Sequence, residues 1–146
     1  LDPDDGQPWD LSRPEKRRKA ERHMDKQRLD VFVGTPMCTT FSSWQHLNNA
    51  RRPEHVTIAE KEAGRLHLRF MCRLYRKQHE RGGIFLHEHP AFASSWKEPC
   101  VMEVMEIAGV SKIRDDQCQL GQQTDEGDPL KKPTGFTSNA PELLAL

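Results

Sequence analysis

Two side chains in this sequence could make and break a covalent bond to a substrate. Cys38 lies in "DVFVGTPMCTTFSSWQ", just past a short apolar run. A thiolate is the strongest common protein nucleophile, and its ionisation depends on its surroundings. In a turn beyond a strand, backbone N–H groups would stabilise its negative charge. Glu88 lies in "GIFLHEHP", at the end of a second apolar run. A partly buried carboxyl there would have a raised pKa and could donate as well as accept a proton. A nucleophile with a proton-handling carboxyl suffices for covalent addition to an electron-poor ring. Each residue also has a plainer reading. Cys38 could be a small apolar filler, and Glu88 a carboxylate that caps the next helix or pairs with an arginine.

His87 and His89 flank Glu88, and strand alternation puts both on one face. With Cys38, Cys100 or Cys118 they would suggest zinc, but the spacings fit no usual ligand set. The deaminase order His-x-Glu followed by Pro-Cys-x-x-Cys is missing, and no metal is expected. The four cysteines are far apart with no CxxC pair, so a disulfide framework is not expected and a reducing compartment is. Cys72, beside Met71 in a helical stretch, reads as core. Trp44, Phe92 and Trp96 flank the two loops and would either stack on a base or cover the sheet.

The elements that must position these residues alternate. Ser12-Arg13-Pro14-Glu15 has capping-box spacing with proline in the first turn, which predicts a helix from Arg13 to Gln27. "LDVFVG" reads as a buried parallel strand, and a loop follows from Thr35 to Val56. Thr57-Ile58-Ala59-Glu60 is a second capping box. Its helix carries Ala59, Ala63, Leu66, Phe70 and Leu74 on one stripe and should stop near Gly82-Gly83. "GIFLHEHP" is the next strand. Ser95 to Glu98 opens a third helix that ends at Gly109. "VSKIRDDQCQLG" reads as a strand, 121–132 as a polar loop and "TGFTSN" as a last strand.

That order predicts an α/β fold, with parallel strands joined by right-handed crossovers. Ligands bind beyond the carboxyl ends of such strands. Neighbouring parallel strands would therefore place the Cys38 loop and the Glu88 loop on one rim.

The chain has 146 residues, with 35% hydrophobic and 30% charged, which is polar for a self-sufficient globule. Lys+Arg and Asp+Glu both number 22, so net charge makes no case for nucleic acid. The stretch from Arg13 to Arg28 is locally basic and could touch phosphates. A solvated helix face laced with ion pairs is the reading we favour. No run approaches a membrane span, and no signal peptide is visible. Residues 1–12 read as an irregular lead-in. The chain opens without a methionine and closes on "NAPELLAL", which reads as a helix starting. Residues 1–146 are therefore expected to be a single partial domain, cut from a longer chain.

"GTPMCTTFS" resembles the catalytic loop of DNA cytosine-5 methyltransferases, Gly-x-Pro-Pro-Cys-Gln-x-Phe-Ser after a strand. Gly34, Pro36, Cys38, Phe41 and Ser42 match, while Met37 replaces the second proline and Thr39 the glutamine. "FLHEHP" resembles that family's second catalytic strand, which ends in Glu-Asn-Val or, in phage-type members, Glu-Asn-Pro. Glu88 and Pro90 match, and His89 replaces the asparagine. "DQCQLG" followed by "KKPTGFTSN" is similar to a later segment of phage-type relatives and of methyltransferase-like segments in retrotransposon polyproteins. The resemblance runs from about Trp9 to Leu144.

It implies part of a Rossmann-like methyltransferase fold. Cys38 would attack carbon 6 of a flipped cytosine in DNA. Glu88 would hold the ring nitrogen and amino edge, and S-adenosylmethionine would supply the methyl group. Pro36, Thr39, Ser42, His89, Gln119 and Lys132 would contact the substrate. The family's glycine-rich cofactor loop, the acidic residue after its second strand and its target-recognition region are absent. The chain reads as the catalytic half of the fold without most of its cofactor half. An upstream segment or a partner protein would then complete the sheet. The rival expectation is a pseudoenzyme, a non-catalytic remnant that binds or scaffolds within a larger assembly.

Overall fold

Helix α1 (Pro14–Gln27) is the first helix of the computed structural model, which describes residues 2–42, 45 and 52–145. Strand β1 (Val31–Gly34), helix α2 (Glu54–Glu80) and strand β2 (Ile84–Pro90) follow. Helix α3 (Pro99–Met105) and strands β3 (Ser111–Asp116) and β4 (Pro133–Ser138) come next among the described residues. Single 3-10 turns lie at Thr39–Phe41, Ser94–Lys97, Gln117–Leu120 and Pro141–Leu144.

The helix starts differ from the capping-box expectation, for local reasons. Ser12 does not cap α1, because its hydroxyl and amide both bond the Asp10 carboxylate, at 2.5 and 3.0 Å. Arg13 takes the cap position in extended conformation, ahead of Pro14. Helix α2 starts a turn before Thr57, directly after Pro53, whose ring sets the φ a helix entry needs. Glu60, the second half of the expected box, instead pairs with Arg52 at 2.9 Å. The third helix is split in two. Pro99 forces Glu98 into extended conformation, so the 3-10 turn cannot run on into α3.

Helix α2 also buries a different stripe from the one expected. Ala59 and Ala63 are exposed. Leu68, Cys72 and Tyr75 face the sheet and join Phe41, Phe85, Trp96, Val101 and Val104 in the main core. Phe70 and Leu74 face α1 and pack on Met24. A helix that serves two partners needs two apolar faces, and a single-stripe reading merges them.

The sheet is mixed, in the order β1-β2-β4-β3. Strands β1 and β2 pair in parallel, with Gly34 opposite His87. Strand β4 is antiparallel to both β2 and β3, so an all-parallel sheet is corrected. Since β4 reverses between them, β3 still points the same way as β1 and β2. Strand β3 also ends at Asp116, earlier than expected, and 117–120 turn away. The final residues form a 3-10 turn rather than the start of an α-helix.

Residues 2–12 hold no helix or strand but are tied to α1. The buried Asp2 carboxylate pairs with Lys16 at 2.7 Å and with Lys19. Asp4 and Asp5 add further pairs to the same lysines. Glu21 reaches Arg73 and Lys77 on α2. Within the basic stretch, Arg13, Lys16 and Lys19 are thus ion-paired. Among the described residues, no helix is long and apolar enough to cross a membrane.

Candidate active site

Glycine 34 ends β1, and the structure shows why a side chain is excluded there. A Cβ would stand 2.0 Å from the Tyr75 hydroxyl and 2.6 Å from Met71 Cε. That hydroxyl lies 3.1 Å from the Gly34 carbonyl and 2.9 Å from His87 Nδ1. One proton serves one acceptor, so Tyr75 donates to Gly34 while His87 Nδ1–H donates to Tyr75. The tyrosine ties the end of β1 to the middle of β2 beneath the rim. Burial raises the Tyr75 pKa well above its usual value, which keeps the donor protonated. Tyr75→Phe should cost about 2 kcal/mol, because two buried polar groups lose their partner. Urea unfolding at pH 7 measures this, and a loss within error of zero would contradict the assignment.

Beyond Gly34 the chain turns over the sheet edge. Pro36 and Cys38 are half-buried and Thr39 is exposed. Cys38 heads the 3-10 turn, and its carbonyl accepts the Phe41 N–H at 2.9 Å. Phe41 is the anchor of this loop. Its ring is fully buried and meets the His89 ring at 6.1 Å, edge on. Ser94, in the loop after β2, donates to the Phe41 carbonyl at 3.3 Å. The two exit loops are therefore stitched to one another on a single rim. Ser42 closes the turn with its amide on the Thr39 carbonyl. Trp44 lies outside the described residues.

Glu88 is half-buried at the same rim, on the sheet face opposite His87 and His89. Its Oε1 accepts a 3.3 Å hydrogen bond from Gln117 Nε2. Neither an arginine nor a helix N-terminus takes that role. Gln117 was not anticipated. The expected glutamine, Gln119, is two residues further along the turn and exposed. Only the early end of β3 distinguishes the two, and the sequence pattern does not show it. Lys132 contributes its backbone, since its carbonyl accepts from Gln117 N and Thr134 Oγ1, both at 3.1 Å. Its ammonium is in solvent.

His89 does not line the rim. It is fully buried and enclosed by Phe41, His87 and Trp96. Strand alternation sends it to the helix side when Glu88 points to the other. Trp96 is likewise core, with its Nε1 bonded to the Pro90 carbonyl at 2.8 Å. Phe92 is the aromatic left open, at 66% exposure, with the Arg114 guanidinium 5.6 Å from its ring. Arg114 is a second unanticipated residue. The β3–β4–β2 register places it opposite Gly135, across from His89.

The residues present do not fit S-adenosylmethionine. The glycine-rich loop it needs is missing, and β1 is an edge strand whose Val31 and Val33 are 45% and 57% exposed. Among the described residues, no group of three or more His, Cys, Asp or Glu side chains could hold a metal ion. Comparison of the chain with protein-family models, with curated proteins and with solved structures finds no match.

Proposed function

We propose that this chain is the base-handling half of a DNA cytosine-5 methyltransferase-like fold, with Cys38 as nucleophile and Glu88 as proton-handling carboxyl. The observation that carries this reading is the shared rim. Strands β1 and β2 are parallel neighbours, and the Ser94–Phe41 bond joins the loops that hold the two residues. The Cys38 thiolate adds to carbon 6 of a flipped cytosine, and Glu88 gives a proton to the ring nitrogen as the carbon 5–carbon 6 double bond is lost. Reversal returns the proton to Glu88 and frees the thiolate. Gln117 holds the carboxylate in place. Phe92 and the exposed Lys132 offer a stacking surface and a cation for the adjoining strand.

The chain lacks the residues for the methyl donor, so no methyl-transfer step is assigned to it. A further segment or partner beside β1 would complete the sheet and bring that half. One observation favours the rival scaffold reading, namely the apolar exposure of Val31 and Val33 on the edge strand.

DNA carrying pyrimidin-2-one in place of cytosine separates the two. That base is electrophilic at carbon 6 and needs no methyl donor to be attacked. A denaturation-resistant adduct is expected, with loss of the adduct in Cys38→Ser. Glu88→Gln should slow its formation about 100-fold. Absence of any Cys38-dependent adduct on single-stranded and duplex DNA would overturn the enzyme reading.

A further inference from the structure

Gly64 lies inside α2 and is buried. Only proline suits a helix interior less well than glycine. The backbone there does not call for glycine, since φ at Gly64 is not positive. The reason is space. A Cβ at position 64 would stand 2.3 Å from Thr40 Oγ1 and 3.2 Å from Phe41 Cε2. Both residues belong to the 3-10 turn that Cys38 heads. The Thr40 hydroxyl is the other half of the contact, buried and with no hydrogen-bond partner among the described residues. A buried hydroxyl left unpaired costs stability. Two choices that each weaken the fold therefore meet at one contact, beside Cys38. Local rules broken on both sides of a contact mark a place where position matters more than stability.

We propose that Gly64 is a positioning residue for Cys38. Its missing side chain is the seat on which Thr40 rests against the α2 backbone, and that seat fixes where the Cys38 turn stands. What the placement serves rests on the reading of Cys38 as the nucleophile. The Cys38 carbonyl accepts the Phe41 N–H at 2.9 Å, and Thr40 lies inside the ring which that bond closes. A push on Thr40 therefore passes to Cys38. On the other side the Phe41 ring is fixed in the main core, and its carbonyl accepts the Ser94 hydroxyl at 3.3 Å. With that end held, the turn yields at its Cys38 end.

The test follows alkylation of each cysteine by iodoacetamide at pH 7, read as peptide masses over time. It uses no DNA, so its failure is distinct from failure of the adduct experiment. Cys72, 1% exposed in the main core, reports global opening. Such opening adds the same increment to both thiols, so any further increase at Cys38 is local. In Gly64→Ala the turn should lift from α2, and the half-buried Cys38 should react at least about 3-fold faster once the Cys72 increment is subtracted. Gly64→Ala combined with Thr40→Ala should restore the wild-type Cys38 rate. There the new methyl group takes the space that the hydroxyl leaves, and Phe41 has to give by only a few tenths of an ångström. A merely structural cost of alanine in α2 would not be relieved in this way. Thr40→Leu overfills the same contact from the loop side, with α2 unchanged, and should speed Cys38 likewise. It decides the matter if circular dichroism shows Gly64→Ala to be unfolded. The proposal is overturned if the Cys38 increase is smaller than this, if it merely equals that of Cys72, or if the double variant stays fast.

Discussion

Lowering the pH from 7 to 5 should remove about 4 kcal/mol of folding stability, through His87 and His89. Both rings are buried and stacked on one another, with centroids 5.5 Å apart. Burial lowers the His87 pKa to about 3, with repulsion from His89 and Lys112 adding to it. Burial lowers His89 to about 4, partly offset by the Glu88 backbone. The groups packed around them cannot neutralise a proton. Helix α2 presents the Tyr75 hydroxyl, the turn before α3 presents Trp96, the β1 loop presents Phe41, and β3 presents the Lys112 ammonium 3.5 Å from the Trp96 ring.

The direction follows from proton counting. The unfolded chain titrates each histidine near its ordinary value of about 6.5. Below that pH it binds protons that the folded chain refuses until about pH 3 to 4. Stability is therefore intact above about pH 6.5 and falls progressively as the pH drops toward 4. At pH 5 each histidine contributes a loss of about 2 kcal/mol. Against a typical total of about 5–15 kcal/mol this is a large fraction. Urea unfolding at pH 7, 6 and 5 measures it. His89→Phe, which keeps an apolar ring against Phe41 and Trp96, should flatten about half of the slope. Stability that is the same at pH 7 and pH 5 would refute the account.

Gly34→Ala should destabilise the fold by about 3 kcal/mol or more. The new methyl group would overlap the Tyr75 hydroxyl at 2.0 Å and the ring carbon bearing it at 2.7 Å. Tyr75 has no room to yield, being fully buried and stacked on Phe85 at 5.1 Å. If it does move, the Gly34 carbonyl and His87 lose their partner together. The loss should appear in urea unfolding and should also weaken Cys38-dependent adduct formation, since this glycine sets where the loop departs. Gly34→Ala combined with Tyr75→Phe should cost less than the sum of the two singles, by about 1 kcal/mol or more. Strict additivity would show that the two residues do not compete for the same space.

These effects explain which parts of the molecule were legible in advance. Strands β1 and β2 were readable, since short apolar runs ending at Gly34 and Pro90 have few alternatives. Their parallel pairing was readable from the helix between them. Both histidines falling on one face follows from a period of two. The helix starts were less legible. Ser12 and Thr57 have capping chemistry, but Asp10 competes for the first and Pro53 begins the helix ahead of the second. A local pattern lists candidate partners without ranking them.

The candidate site divides along the same line. Local sequence determined that a cysteine follows one short apolar strand, that a glutamate lies near the end of the next, and that side chains alternate across both; the burial expected of β1 does not hold, because it is an edge strand with Val31 and Val33 exposed. Which partner each would meet depended on contacts between distant segments. Gln117 rather than Gln119 holds Glu88, because β3 ends at Asp116. His89 and Trp96 are core rather than rim, because the helices cover the face opposite Glu88. The insertion of β4 between β2 and β3 is likewise long-range. Hydrophobic period and turn chemistry are properties of neighbouring residues, so the chain carries them openly. Strand order and occluded faces arise only when remote segments compete for the same buried space, and that competition is decided by the packed structure.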